Sequence, residues 1–240
     1  MATMEWKEYK WRVVLDGVQK WMADNDILQA AAQEDERGRW NNLPRWIEDS
    51  HRQHPIVACL DIGCGSGTLL ALVNELTSAM CFGADLRVVL DAKVMDKWSI
   101  EFQQCDIEVQ EAPAVLPPFA PGAGWDLILL TNVLEYFKYQ CAATLYKLRS
   151  ALSPTGLIMI STPDANDVGR LYAQYSDYHQ FPEPDLSAKP RRAAETEQWY
   201  FQQAELQEAA ASAKLHPIRF GYAIGAKGRQ FNIAFKASQR

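Results

Sequence analysis

Positive charge is in short supply in this 240-residue chain. Its 24 lysines and arginines are outnumbered by 30 aspartates and glutamates, which gives a formal net charge of −6 at pH 7. Because nucleic-acid phosphates are bound through an excess of Lys and Arg, this balance argues against a nucleic-acid partner.

Long apolar runs are also missing. No stretch of the sequence approaches the ~20 consecutive apolar residues that a membrane-spanning helix needs. Residues 1–15 carry charges and tryptophans where a signal peptide would have an apolar core. We therefore expect no membrane association and a cytoplasmic location.

Metal-binding patterns are equally scarce. The five cysteines include no Cys-x-x-Cys pair, and four of them lie in or beside apolar segments, which is typical of a reduced compartment. Asp164, Asn166 and Asp167 offer oxygen atoms of the kind that Mg²⁺ prefers. We interpret these three as turn-forming residues instead and predict no metal.

The most informative segment that is present joins an apolar strand to a glycine-rich turn. Residues 56–62 form an apolar run typical of a strand buried on both faces of a parallel sheet. Every second position from residue 61 to residue 67 is then an aspartate or a glycine, namely Asp61, Gly63, Gly65 and Gly67. Because glycine has no Cβ, a ligand can lie against the backbone there.

The spacing of these glycines distinguishes between kinds of ligand. A dinucleotide fingerprint would need a glycine at position 68, where the chain has Thr68, and no Gly-Lys-Ser/Thr of a phosphate loop follows. The turn therefore predicts a nucleoside site and disfavours a nicotinamide oxidoreductase.

Further polar residues follow later apolar runs. Asp85 ends the run at residues 80–84, about as far beyond the glycines as the ribose-binding acid of a nucleotide site. Asp106 follows a less apolar run, which we place near a sheet edge, and Asn132 and Tyr136 follow the run at residues 125–130. Near the carboxyl terminus, two strand-like segments flank a glycine-bearing turn and predict a β-hairpin.

The order and spacing of these segments over residues 56–163 resemble those of class I S-adenosylmethionine-dependent methyltransferases, particularly the ubiquinone-biosynthesis-like small-molecule branch. The resemblance implies an α/β, Rossmann-like, seven-stranded sheet that is mostly parallel and ends in a C-terminal antiparallel hairpin. We expect an N-terminal helical segment at residues 1–50 and a methyltransferase domain at residues 51–240, with a cap insertion at about residues 163–195.

The same resemblance implies a binding site for S-adenosylmethionine. Asp85 would accept both ribose hydroxyls, Asp106 the adenine amino group, and Ile107 would pack on the adenine ring. The complete predicted set of cofactor-binding residues is Asp61, Gly63, Cys64, Gly65, Gly67, Asp85, Leu86, Asp106, Ile107 and Asn132.

The predicted reaction is transfer of the methyl group to a hydroxyl oxygen of a small molecule. In-line displacement needs the acceptor atom ~3 to 3.5 Å behind the methyl carbon, and a hydroxyl also needs a base to take its proton. Of the four histidines, only His179 lies in the predicted cap, so His179 and Tyr136 are the catalytic candidates. An N- or C-methyltransferase and a non-catalytic S-adenosylmethionine-binding scaffold are the alternatives.

Overall fold

The computed structural model describes residues 10–28, 40, 42–110, 112, 124–139, 141–165, 200–225 and 228–238. His179 and the predicted cap from residue 166 onward lie outside these ranges. Among the helices of the described ranges, none is both long and apolar enough to cross a membrane.

Seven strands form one mixed sheet. They are β1 (Ala58–Ile62), β2 (Met80–Asp85), β3 (Glu101–Gln104), β4 (Trp125–Thr131), β5 (Leu152–Pro163), β6 (Leu215–Gly225) and β7 (Gly228–Ala237). The spatial order is β3-β2-β1-β4-β5-β7-β6. The first five strands are parallel, whereas β7 is antiparallel to both β5 and β6. The predicted fold class is therefore confirmed.

Helices cover both faces of this sheet. They are α1 (Lys10–Asp24), α2 (Leu43–Gln53), α3 (Thr68–Thr77), α4 (Ala92–Trp98), α5 (Cys141–Ser150) and α6 (Gln203–Ser212), with a short 3-10 helix at Leu134–Tyr136. Buried residues of α1, α2, α3 and α4 form a cluster on one face, and those of α5 and α6 form a cluster on the other.

Strand β4 explains why the sequence shows continuous apolar runs. Leu127 and Leu129 belong to the first cluster, whereas Ile128 and Leu130 belong to the second. Successive side chains of a strand point to opposite faces, so a strand covered on both sides is apolar at every position. All five cysteines are free and buried within this packing.

Three details of the element bounds bear on the sheet. Helix α2 runs over Leu43–Gln53 and has Pro44 in its first turn, where a missing N–H costs nothing. Strand β5 begins as early as Leu152, which pairs with Trp125 before a register shift brings Leu127 opposite Leu157. Strand β3 has four residues and forms the edge of the sheet, as its weaker apolar pattern predicts.

The topology locates the place where a ligand can bind. From β1 the chain builds the sheet outward through β2 and β3, and it then returns to the other side of β1 to add β4. In open α/β sheets, ligands bind beyond the carboxyl ends of the strands at such a reversal.

Candidate functional site

The glycine loop between β1 and α3 is shaped by three positive φ angles. They are 72° at Gly63, 51° at Gly65 and 79° at Gly67. A Cβ would lie 2.6 Å from Val133 Cγ2 at Gly63 and 2.4 Å from Leu90 Cδ1 at Gly67, but would meet no atom within 4 Å at Gly65. Packing within the protein therefore requires the first and third glycines, and the middle glycine faces open space.

A cavity of about 730 Å³ lies at the carboxyl ends of β1, β2, β3 and β4. This volume is within the range of ligand-binding pockets. Seven residues that the sequence singled out line it: Gly63, Asp85, Leu86, Asp106, Ile107, Asn132 and Tyr136. Seven others complete the lining and were missed: Ile62, Arg87, Cys105, Glu108, Val133, Phe137 and Lys138.

Four predicted cofactor residues do not line this cavity: Asp61, Cys64, Gly65 and Gly67. The Cys64 side chain is buried and packs toward β2, since a Cβ on Gly83 would lie 2.8 Å from Cys64 Sγ. Burial raises the pKa of the Cys64 thiol, with smaller contributions from the neighbouring carboxylates. The side chain of Cys64 is thus a neutral packing group.

Asp85 joins the glycine loop to the cavity. Its Oδ2 accepts a hydrogen bond from the Gly65 backbone N–H at 3.2 Å, and its Oδ1 accepts one from the Arg87 N–H at 3.1 Å. These bonds fix the carboxylate at the end of β2 beside the open face of the loop.

Asp61 is a second carboxyl group close to the first. It is 1% exposed, and its Oδ1 has no hydrogen-bond partner among the described residues. Burial, and secondarily the charge of Asp85, raise the pKa of the Asp61 carboxyl group. Burying a charged carboxylate away from water is costly, so the neutral form of Asp61 is favoured in the folded chain.

Asn132 has a strained backbone at the end of β4. Its φ is 54°, its N–H donates to the Ser161 carbonyl at 2.8 Å, and its buried Oδ1 has no partner within the described ranges. Asparagine tolerates this conformation better than most residues, and such strain is common at functional sites. Tyr136, 41% exposed, lies four residues further on at the cavity rim.

The turn after β3 carries Asp106 and Ile107. Asp106 Oδ1 accepts the Glu108 N–H at 3.1 Å, which orients this carboxylate at the cavity lining. Glu108 was not predicted as a site residue, although its position two residues after Asp106 was the available signal. Its hydrogen-bond partners lie some 30 residues away along the chain, and spacing alone does not reveal them.

The remaining candidates play structural parts or lie outside the described ranges. His51 Nδ1 accepts the Ile56 N–H at 3.1 Å ahead of β1, far from the carboxyl ends of the strands. Asp164 pairs with Arg229 at 2.8 Å, while Asn166 and Asp167 are outside the described ranges. Within those ranges, no group of three or more His, Cys, Asp or Glu side chains could hold a metal ion.

Comparison with known proteins identifies the family. The profile of a family described as a methyltransferase domain matches residues 19–216. The chain belongs to this methyltransferase family. The match spans both the glycine loop and the whole cavity lining, and it confirms the predicted S-adenosylmethionine-dependent methyltransferase assignment. The ubiquinone-biosynthesis-like branch stays a prediction.

Solved structures share the fold of this methyltransferase. The 1,6-didemethyltoxoflavin-N1-methyltransferase of Burkholderia thailandensis has a TM-score of 0.61 at 19% identity, over 100% of this chain and 92% of its own. The magnesium protoporphyrin IX methyltransferase of Synechocystis PCC 6803 has a TM-score of 0.59 at 14% identity, over 95% and 99%. The N-methyltransferase NodS of Bradyrhizobium japonicum WM9 has a TM-score of 0.54 at 14% identity, over 85% and 99%. No curated protein sequence matches the chain.

Proposed function

We propose that this methyltransferase takes its methyl group from S-adenosylmethionine and passes it to a small-molecule acceptor. The cofactor would lie against the glycine loop and in the adjoining cavity at the carboxyl ends of β1 to β4, which Gly63 and Asp85 line. The observation that carries the proposal is the open face of Gly65 beside the fixed carboxylate of Asp85. When bound, S-adenosylmethionine supplies an electrophilic methyl group on a sulfonium centre.

The described residues fit this cofactor. We assign the ribose hydroxyls to Asp85, the adenine amino group to Asp106, and contact with the adenine ring to Ile107 and Leu86, all of which line the cavity. These assignments place carboxylates opposite hydrogen-bond donors and apolar side chains against the ring.

Two buried oxygen atoms near the carboxyl ends of β1 and β4 also support the fit, although Asn132 lines the cavity and Asp61 does not. Asn132 Oδ1 and Asp61 Oδ1 are buried acceptors without partners among the described residues. A ligand with an ammonium group would give such acceptors a donor, directly or through water. We assign Asn132 and Asp61 to the amino-acid part of the cofactor, and the backbone of Gly63, Cys64, Gly65 and Gly67 to close approach along the loop.

The acceptor we propose is a small molecule with a hydroxyl group, as in the ubiquinone-biosynthesis-like branch. A small acceptor is supported by the structural neighbours, whose names include a toxoflavin precursor and a magnesium porphyrin. The oxygen preference rests on the sequence resemblance, because neighbours of this fold also include enzymes named as N-methyltransferases. Nitrogen or carbon acceptors on the same scaffold are the alternative.

The chain's own contribution to the reaction is positioning and proton removal. Tyr136 lies at the cavity rim, where its hydroxyl group can orient an acceptor. We propose His179 as the base that takes the hydroxyl proton, since imidazole titrates near neutral pH. Alignment of the acceptor supplies the larger part of the rate enhancement, and the base adds about 10²- to 10⁴-fold.

The test is calorimetric titration of the protein with S-adenosylmethionine, S-adenosylhomocysteine and NAD. In Asp85→Ala we expect binding of both adenosyl ligands to weaken by about 2–4 kcal/mol, or roughly 30- to 1,000-fold. The matched control is Asp126→Ala. Asp126 also accepts two backbone N–H groups, from Val57 and Ala58, but it lies at the amino-terminal ends of the strands, away from the cavity.

The outcomes separate the candidate functions. The proposal is supported if S-adenosylmethionine and S-adenosylhomocysteine bind to the wild type and to Asp126→Ala but not to Asp85→Ala. It is contradicted if NAD binds, or if neither S-adenosylmethionine nor S-adenosylhomocysteine binds. Transfer of labelled methyl groups to phenol, amine and carbon acid panels then identifies the acceptor atom. Binding without transfer to any acceptor would favour the non-catalytic scaffold.

A further inference from the structure

Two charged side chains hold one wall of the cavity together through main-chain groups. This wall, here called the β3–β4 wall, consists of the turn at residues 106–110 and the segment at residues 134–139. Both parts contribute lining residues. Glu108, in the turn, binds the segment, and Lys147, in α5, binds the turn. Neither residue was predicted from the sequence.

Glu108 ties the turn to the segment. Its carboxylate is buried, with 6% of the residue exposed. Oε1 accepts the N–H groups of Lys138 at 2.8 Å and Tyr139 at 2.7 Å, and Oε2 also accepts the Lys138 N–H at 2.8 Å. Hydrogen bonds to an ionised acceptor are shorter and stronger than neutral ones, so this carboxylate fixes the separation of the two parts.

Lys147 fixes the turn itself. It extends from α5, and its Nζ donates to the carbonyl oxygens of Ile107 at 2.9 Å, Glu108 at 3.4 Å and also Gln110. The ammonium group thereby binds three carbonyl oxygens of the same turn and holds them close together. Ile107 and Glu108, which both line the cavity, are held in place from the side of α5.

We propose that Glu108 and Lys147 are positioning residues that set the width of the slot for the adenosine part of the methyl donor. By this slot we mean the part of the cavity that is lined by Ile107 on the turn and by Phe137 on the segment. We expect the separation of the turn and the segment to depend on these two charged groups. The inference rests on the proposed function, since it concerns how the same cavity holds the same ligand.

The chain offers a matched control for Glu108, a carboxylate whose contacts are with backbone away from the cavity. Asp126 Oδ2 accepts the N–H groups of Val57 and Ala58 at 2.9 and 3.1 Å, and Oδ1 accepts the Ser153 hydroxyl at 2.7 Å. Asp126 therefore binds backbone in the same way as Glu108 but lies at the amino-terminal edge of β4. Its removal is expected to lower stability without changing the slot.

The experiment measures the dissociation constant of S-adenosylhomocysteine and the melting temperature for the wild type and four variants. We expect Glu108→Ala to raise Kd at least tenfold and Lys147→Met at least threefold. In Glu108→Gln, the amide oxygen can still accept both N–H groups that Oε1 accepts, but an NH2 group replaces Oε2 beside the Lys138 N–H. Its Kd should therefore lie between those of the wild type and Glu108→Ala. Asp126→Ala should lower the melting temperature and leave Kd within twofold.

Each outcome supports or overturns the inference. A wild type that does not bind S-adenosylhomocysteine overturns the proposed function itself. A wild type that binds, with Glu108→Ala binding equally well, overturns the positioning roles alone. The positioning roles are also overturned if Glu108→Gln binds S-adenosylhomocysteine as weakly as Glu108→Ala does. They are equally overturned if Asp126→Ala loses as much affinity as Glu108→Ala. If Glu108→Ala does not fold, the Kd of Lys147→Met tests the inference. A Kd equal to that of the wild type would then refute the positioning roles.

Discussion

Replacing Gly65 or Gly67 with alanine should separate ligand contact from protein packing within one loop. Both glycines have positive φ, so each alanine carries a backbone cost of about 1–2 kcal/mol. The two positions differ in what the new methyl group meets. We therefore expect the larger loss of stability in Gly67→Ala and a loss of ligand affinity in Gly65→Ala.

At Gly67 the methyl group meets the protein. It would lie 2.4 Å from Leu90 Cδ1 and 3.2 Å from Val94 Cγ1. Both side chains are buried, at 5% and 0% exposure, and have little room to move. Overpacking adds about 1–3 kcal/mol, for a total loss of about 2–5 kcal/mol.

At Gly65 the methyl group meets no protein atom within 4 Å, so only the backbone cost applies. It occupies the space that we assign to the cofactor. Overlap with the ligand of about 1–3 kcal/mol would weaken S-adenosylhomocysteine binding by roughly 5- to 150-fold.

The assays are thermal melting and calorimetric titration. For a domain of this size, about 1 kcal/mol shifts the melting temperature by about 2–4 °C, so Gly65→Ala should lose about 2–8 °C and Gly67→Ala several degrees more. Wild-type affinity in Gly65→Ala would show that the ligand does not lie against this loop. Equal melting temperatures for the two variants would refute the packing argument.

Three further changes test other parts of the structure. Gly17 lies exposed in α1 with nothing within 4 Å of an added Cβ. Gly17→Ala should therefore raise the free energy of unfolding in urea by about 0.5–1 kcal/mol. A lower free energy of unfolding would contradict the helical conformation at this position. Burial and the Asp85 charge raise the pKa of Asp61 in the folded state, so protonation of Asp61 favours folding. As pH rises above about 4, the wild type should therefore lose stability relative to Asp61→Asn. Parallel stability-versus-pH curves would disprove that shift. Arg229→Ala should cost about 1–3 kcal/mol because it removes a partner of the Asp164 carboxylate, which is 3% exposed, and an unchanged melting curve would show the pair to be unimportant.

The sheet could be predicted because its central strands are buried on both faces. Residues 58–62 and 125–131 are apolar at nearly every position, and helices cover both sides of each strand. The mostly parallel, seven-stranded sheet with its C-terminal antiparallel hairpin was predicted from the family resemblance, since apolar runs alone do not define which strands are neighbours. The position of Asp85 beside the glycine loop also followed, because parallel strands end at the same edge.

The parts that sequence reasoning missed depend on main-chain contacts. Glu108 binds N–H groups that lie some 30 residues away, and Lys147 binds carbonyl oxygens some 40 residues away. Backbone groups are the same in every residue, so no spacing or composition marks them as partners. The buried, unpartnered oxygen of Asp61 was hidden for a related reason, since burial depends on how the neighbouring strands and loop pack.

The burial of every cysteine has a consequence for chemical probing. Burial raises the pKa of the thiols of Cys59, Cys64, Cys105 and Cys141, and it also shields them from reagents. Only a thiolate that reaches solvent reacts with an alkylating agent. The rate of alkylation at each cysteine therefore reports how often its surroundings open, from the β3 edge at Cys105 to the centre of the sheet at Cys59. Slower alkylation of Cys64 in the presence of S-adenosylhomocysteine would measure how far the ligand suppresses opening of the glycine loop.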